Sequence, residues 1–204
     1  MPTPRSSPGP DLSDQGLFAH QPPPRADGLL PVIITHLELQ RSDWTRVGRP
    51  PASAVSITHE RAPSVAHYRE LYDEVGRPWL WYERRLLNDP ALALLLGGAH
   101  HELHVARDGT ILVGFFELNG AEIAFFGLTL RYIGRGIGPW LLDRAIERGF
   151  AAGAERLELN TNTLDHPAAL GIYRKAGFRI TRRESRELQD PRVLWPDVYR
   201  WPPA

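Results

Sequence analysis

After its first thirty residues the chain alternates between strand-like and helix-like hydrophobic periods. Leu30-Pro-Val-Ile-Ile-Thr-His-Leu-Glu-Leu39 is apolar and β-branched and reads as a strand. Residues 40–53 are polar with Pro50-Pro51 and read as a loop. From Pro63 to Val75, Val65, Tyr68 or Arg69, and Tyr72 recur at a spacing near 3.6, which predicts a helix. A second helix is predicted over residues 89–96, with Asp89 as N-cap, Pro90 in its first position and Gly97-Gly98 at its end. Residues 101–107 predict a strand that turns at Asp108-Gly109. Two apolar runs, residues 110–118 and 121–130, flank Asn119-Gly120, a pair suited to the positive φ angles of a type I′ turn. The result would be a two-residue hairpin in which Leu118 faces Ala121 and Glu117 faces Glu122.

Arg131-Tyr-Ile-Gly-Arg-Gly-Ile-Gly138 then leads into a helix striped by Ile137, Leu141 or Leu142, Ala145, Ile146 and Phe150, with Gly153 near its end. Residues 156–160 read as a short strand and residues 167–176 as a helix stopped by Gly177, and Phe178 opens a further strand. Strands and helices in this order imply an α+β or mixed α/β sheet, in a single domain over residues 28–204. Seven of the 19 prolines fall in the first 27 residues, so residues 1–27 are expected as a disordered or loosely attached tail.

Charge and composition narrow the function classes. The 204 residues carry 24 basic and 24 acidic side chains, which argues against a broad cationic face for nucleic acid or anionic lipid. There is no cysteine, and so no thiolate metal site, disulfide or Cys nucleophile. No apolar run approaches the ~20 residues that span a bilayer. The first residues lack the apolar core of a secretory signal, and a soluble cytoplasmic protein is the expectation. His100-His101-Glu102-Leu103-His104 has one residue too few for a zinc-binding His-Glu-x-x-His on a helix, and no metal is expected there.

The first chemical signal is the run Gly134, Gly136, Gly138 between a strand and a helix. Without Cβ atoms the backbone can approach a ligand closely, and unpaired N–H groups at the helix start can hold a phosphate or pyrophosphate, with Arg135 at the rim. No Gly-Lys-Ser/Thr follows, and Pro139 stands where a dinucleotide fingerprint needs its third glycine. The second signal is Glu122. Opposed to Glu117, it would form a like-charge pair of the kind that suits proton transfer, or else two solvated side chains.

These segments resemble the GCN5-related N-acetyltransferase (GNAT) superfamily, over about residues 30–181. Ile133-Gly-Arg-Gly136-Ile-Gly138 is similar to its pyrophosphate loop, Gln/Arg-x-x-Gly-x-Gly/Ala, with Ile133 departing from the usual Gln or Arg. The same letters also fit from Arg131; the leucines of the next helix favour the later register. His166-Pro-Ala-Ala169-Leu-Gly-Ile-Tyr173-Arg-Lys-Ala-Gly177-Phe178 resembles the family's Asn-x-x-Ala-x-x-x-Tyr-x-x-x-Gly-Phe helix. The resemblance implies a mostly antiparallel twisted sheet with helices on both faces and a central, splayed parallel strand pair that takes acetyl-CoA. It implies direct transfer of the acetyl group to an amine, small-molecule or peptide, with no metal. Gly134, Arg135, Gly136, Ile137 and Gly138 would hold the pyrophosphate, and the backbone of Phe126 and Leu128 the thioester and pantetheine arm. Tyr173 would protonate the departing thiolate. Counting back six from Leu128, the residue the family register fixes, makes Glu122 the general base, with Glu117 as substitute.

His166 either caps its helix, bonds the pantetheine arm or is simply a surface residue. Trp79, Trp81, Tyr82 and Trp140 either line the acceptor pocket or fill core. A non-catalytic acyl-CoA-binding domain and an unrelated nucleotide-binding enzyme are the alternatives.

Overall fold

The computed structural model describes residue 18, residues 20–52 and residues 54–199. Among these residues seven strands form one sheet: β1 (Leu29–Gln40), β2 (Val55–Glu60), β3 (His101–Asp108), β4 (Ile111–Asn119), β5 (Glu122–Leu128), β6 (Arg156–Asn162) and β7 (Arg179–Gln189). Their order is β2-β3-β4-β5-β6-β1-β7, and every neighbouring pair is antiparallel except β5–β6. The helices are α1 (Val65–Gly76), α2 (Asp89–Leu96), α3 (Ile137–Ala151), α4 (Ala169–Lys175) and α5 (Pro191–Leu194). The mixed sheet expected from the sequence is present, and no helix among the described residues is long and apolar enough to cross a membrane.

Each face of the sheet takes its own helices. On α1, Tyr68, Leu71, Tyr72 and Val75 fall on one stripe and pack with Leu92 and Leu96 of α2 against Leu103, Val105 and Phe115. Across the sheet, Leu141, Leu142, Ala145, Ile146 and Phe150 of α3 and Tyr173 of α4 meet Leu37, Leu39, Leu157 and Leu159. The start of α1 is capped by Ser64, whose Oγ accepts from the His67 N–H at 3.2 Å. The α2 cap is Asn88 rather than Asp89: its side chain accepts from the Ala91 N–H at 3.0 Å, leaving Asp89 and Pro90 inside the first turn.

The hairpin register differs from the expected one. Asn119 pairs with Glu122 and Leu118 with Ile123, so Gly120 and Ala121 form the loop. Gly120 alone is left-handed, at φ +61°, the requirement of the first loop position of a type II′ turn. This register buries Leu118 and Ile123 together and keeps Glu117 and Glu122 from facing each other. One pair further, Glu117 sits opposite Phe125, so Ala124 is the extra residue of a β-bulge.

The pattern reading assigned no strand to β2 and only the first residues of β7. Both are edge strands, and β7 carries charged side chains through its middle, as edges that resist further pairing do. Of the segment 1–27 expected as a loose tail, residues 1–17 and 19 lie outside the described residues. Phe18 is buried with its ring 5.4 Å from Trp79, and Gln21 Nε2 donates to the Pro78 carbonyl at 2.8 Å.

Asp143, on α3, fixes how that helix starts. Its buried carboxylate accepts from the N–H groups of Val47 (3.0 Å) and Gly48 (2.7 Å) and from Trp44 Nε1 (3.3 Å). Gly48 in turn lies against the backbone of Pro139 and Trp140, so close that any Cβ would overlap them. Asp143→Ala would orphan three donors and release this latch. The expected loss is about 2–3 kcal/mol, read as a lower urea midpoint at unchanged slope.

Candidate functional site

Strands β5 and β6 are paired at one position among the described residues, Glu122 opposite Glu158, where the Glu158 N–H also donates to the Ala121 carbonyl at 3.0 Å. Beyond it the strands diverge while β4 and β1 hold their outer edges. The gap opens into a cavity of about 710 Å³, floored by Ala124–Leu128 on one side and Leu159, Asn160 and Asn162 on the other. The glycine loop and Trp79, Trp81, Glu83 and Arg84 also line it.

In the loop, Gly134 and Gly136 have φ of +76° and +75°, values that penalise any residue with a Cβ. Gly136 is the N-cap of α3. Among the described residues nothing accepts a hydrogen bond from the backbone N–H of Gly134, Gly136, Ile137 or Gly138. Pro139 occupies the first turn, where its missing N–H costs no helical bond. A Cβ on Gly134 or Gly136 would meet no atom within 4 Å, so the space over them is open. Free donors, a helix start and open space together fit a pyrophosphate. Ile137 is buried in the core and pins the turn. Arg135 is exposed, lies outside the cavity lining, and rests its guanidinium 5.2 Å from the Tyr132 ring.

The two glutamates of the hairpin have opposite environments. Glu122 is half-buried, lines the cavity, and has no hydrogen-bond or ion-pair partner among the described residues. Burial raises its carboxyl above the ordinary range; Arg84 pulls it down, and Glu117 and Glu158 add to the rise. Glu117 is fully buried behind the cavity wall. It accepts from the Tyr68 hydroxyl at 2.5 Å and from Arg84 Nη2 at 2.5 Å, and His101 Nε2 lies 3.4 Å away without bonding it. Burial pushes this carboxyl up, but His101, Arg84 and Tyr68 outweigh it and hold it below the ordinary range. Glu117 is therefore a tied-down counter-charge, placed where no amine can reach it.

Tyr173 on α4 lines the cavity, with its ring edge-on to Phe126 (6.2 Å) and Phe178 (6.1 Å). Burial, then the nearby Asp165, raise its phenol above the ordinary value, so it stays protonated at neutral pH. Phe126, Leu128 and His166 also line the cavity. His166 accepts at Nδ1 from the Ala168 N–H (3.1 Å) in the turn before α4, whose N-cap Ala168 has no side-chain cap, and sets its ring against Trp79 at 5.3 Å. Trp79 and Trp81 line the cavity and are packed at once, whereas Tyr82 and Trp140 pack outside the lining.

Sequence reasoning missed Glu83, Arg84, Asn160, Asn162 and Asp165. Glu83 and Arg84 sit in irregular backbone without hydrophobic period. Asp165 lies beside the family-like helix but carries no motif of its own. Its carboxylate accepts from Thr161 Oγ1 (2.7 Å), the Asn162 N–H (2.9 Å) and Trp81 Nε1 (3.2 Å), which fixes the indole in the cavity wall.

Away from the cavity, His59, Glu102 and His104 bring ligand atoms within 4.8 Å of one another. The spacing within residues 100–104 could not show this, because His59 comes from β2. A cation already sits there: Arg148 donates to both Glu102 oxygens, at 2.6 and 2.5 Å, and holds that carboxyl down at about 2.

The comparisons agree with this architecture. Residues 62–178, more than half of the chain, match the model of the acetyltransferase (GNAT) family. Among solved structures, a GCN5-related N-acetyltransferase from Sphaerobacter thermophilus shares 22% identity at a TM-score of 0.51, covering 80% of this chain and 54% of its own. One from Kribbella flavida shares 16% at 0.53, covering 83% and 63%. A functionally unknown conserved protein from Staphylococcus epidermidis shares 16% at 0.56, covering 80% and 63%. The chain thus spans less than two thirds of each of these structures. No curated protein matches the sequence. With its splayed strands, its glycine turn and the match over residues 62–178, the chain belongs to the GNAT acetyltransferase family.

Proposed function

We propose that the protein transfers an acetyl group from acetyl-CoA to a primary amine by direct attack, with both substrates bound together. The observation that carries this reading is a convergence. An unpartnered, half-buried carboxylate (Glu122) and a buried phenol (Tyr173) line the same cavity, as does the donor-rich turn at Gly134–Gly138. The turn would hold the pyrophosphate, while the open edge of β5 near Phe126 and Leu128 would take the pantetheine arm and thioester. Glu122 would accept the ammonium proton, directly or through one water. The free amine then attacks the thioester carbon and a C–N bond forms; the C–S bond breaks as Tyr173 gives its proton to the leaving sulfur, and the proton shed by the new amide nitrogen returns to the phenolate through water. A strand N–H near Phe126 would hold the oxyanion. Alignment of the two substrates in one cleft supplies the rest.

Thiol release from acetyl-CoA across an amine library tests this reading. Glu122→Gln and Tyr173→Phe should each lower kcat by about 10²-fold or more while CoA still binds by calorimetry. Because Glu122 must be ionised to act and its pKa is raised, the wild-type rate should still climb with pH above the ordinary carboxylate value. Absence of any heat of binding with CoA would overturn the proposal; binding without turnover on any amine would leave an acyl-CoA-binding domain instead.

The same carboxyls set the pH dependence of stability. A raised Glu122 pKa means that the native state holds its proton more tightly than the unfolded chain, so this group costs stability as pH rises above the ordinary carboxylate value. Glu122→Gln should raise stability by about 0.5–1 kcal/mol at pH 7, and the gain should vanish in acid. Glu117, with its lowered pKa, contributes stability above the ordinary value and loses it as pH falls through the lower native one. Glu117→Gln strands the Arg84 charge and should cost about 3 kcal/mol at pH 7. Paired denaturation curves at pH 7 and in acid check both signs.

A further inference from the structure

Besides Tyr173 and His166, four ionisable side chains line the cavity: Glu83, Arg84, Glu122 and Asp165. Two are already engaged. Asp165 accepts three hydrogen bonds within the fold, and Glu83, exposed at the mouth, gives one oxygen to the Tyr72 hydroxyl (2.9 Å) and the Tyr82 N–H (3.1 Å). Arg84 and Glu122 retain free capacity. Arg84 is held on three sides: Nε donates to the Tyr68 hydroxyl at 3.2 Å, Nη2 to Glu117 at 2.5 Å, and its Cζ stands 4.7 Å over the Phe125 ring. Among the described residues its Nη1 has no partner. A planar guanidinium fixed through Nε and Nη2 has its Nη1 donors fixed as well, so a carboxylate oxygen can accept a charge-assisted hydrogen bond there.

Stability alone does not account for this arrangement. The Glu117 carboxylate is wholly buried and the Arg84 side chain is 14% exposed, a depth at which a well-packed apolar pair would serve as well or better. The buried pair instead holds a guanidinium with one free nitrogen at the wall of a cavity whose wholly unpartnered ionic group, Glu122, is an anion. A ligand matching both would carry an anion and a cation itself.

We infer that Arg84 and Glu122 select a zwitterionic acceptor, an amino acid or similar small amino carboxylate, with its carboxylate on Arg84 and its amine toward Glu122. Trp81 and Phe125 beside them offer ring surface to an apolar side chain. This rests on the transferase reading above and adds the acceptor's chemical class.

Matched acceptors test it: L-phenylalanine, its amide and phenethylamine, in thiol-release assays on the wild-type protein. L-phenylalanine should exceed the other two by about 10–100-fold in kcat/KM, mostly through KM, as a charge-assisted pair to arginine implies. The double change Arg84→Met with Glu117→Gln removes both charges without stranding either, and should shrink that ratio to about threefold or less. If the double variant lacks a cooperative thermal transition, Arg84→Lys, which keeps the charge and loses the fixed Nη1 donor, should lower the ratio in its place. Thermal shifts with CoA present read the selection without turnover: L-phenylalanine should stabilise the wild type and phenethylamine should not. Equal use or equal binding of the amine and the amino acid, or a preference that survives the variants, would overturn the inference. Failure of CoA binding would instead bring down the transferase reading.

Discussion

The structure depends on where two parallel strands stop pairing. Glu122 and Glu158 meet, and from there β5 stays with β4 while β6 stays with β1. Each strand is left with one edge of backbone donors and acceptors without a strand partner. Unpaired main chain is costly when buried dry, so such a gap is stable only when water or a polar ligand fills it. Side chains hold the wedge open: Phe126 from β5 abuts Tyr173 from α4, which in turn abuts Phe178 just before β7. A long extended molecule with amide groups suits the exposed edges, and the glycine turn lines the cavity where such a molecule would present its anion.

The hairpin register has a chemical consequence. In an unbroken hairpin with the register first expected, the two glutamates would face each other and share one environment. The observed register places Glu122 beside Asn119 at the strand start, and the extra residue brings Phe125, not a charge, opposite Glu117. One carboxylate is thereby sealed in with a tyrosine, an arginine and a nearby histidine, and the other is left without a partner in the cavity. Two identical side chains five residues apart so acquire opposite pKa shifts from their places in the hairpin register.

Much of this architecture was legible in the chain, and the gaps have physical causes. The α1 and α3 stripes and the glycine turn could be read because helix periodicity and the need for positive φ leave local marks at Tyr68, Tyr72, Ile137, Gly134 and Gly136. Tyr173 could be placed because its whole helix carries a motif. The bulge could not, since Ala124 looks like any strand residue and Asn119-Gly120 suggests a turn in which both residues are left-handed, whereas only Gly120 is. Most of β7 was hidden because an edge strand exposed to water needs no apolar alternation, and Arg182, Arg183, Glu184 and Arg186 look like a loop. Arg84 had no local signal. Its importance arises from Glu117 and Tyr68, distant in sequence, and only the fold brings the three together.

The glycine turn combines openness with rigidity. Three glycines in five residues would leave a free loop floppy, and a cradle that must be ordered by its ligand binds weakly. Here the following residues supply order that the glycines lack: Ile137 enters the core, and Asp143 ties α3 to the loop at Val47 and Gly48, which packs against Pro139 and Trp140. The glycines differ in what they contribute. Gly134 and Gly136 are required by backbone conformation, but Gly138 is helical, and a Cβ there would make only an ordinary contact, 3.7 Å from Leu128 Cδ1. Since Gly138 lines the cavity and the fold would tolerate a side chain, what a side chain would cost is room over the free N–H groups. The buried face of the turn is thus set by the core and its open face by whatever must come close to the backbone.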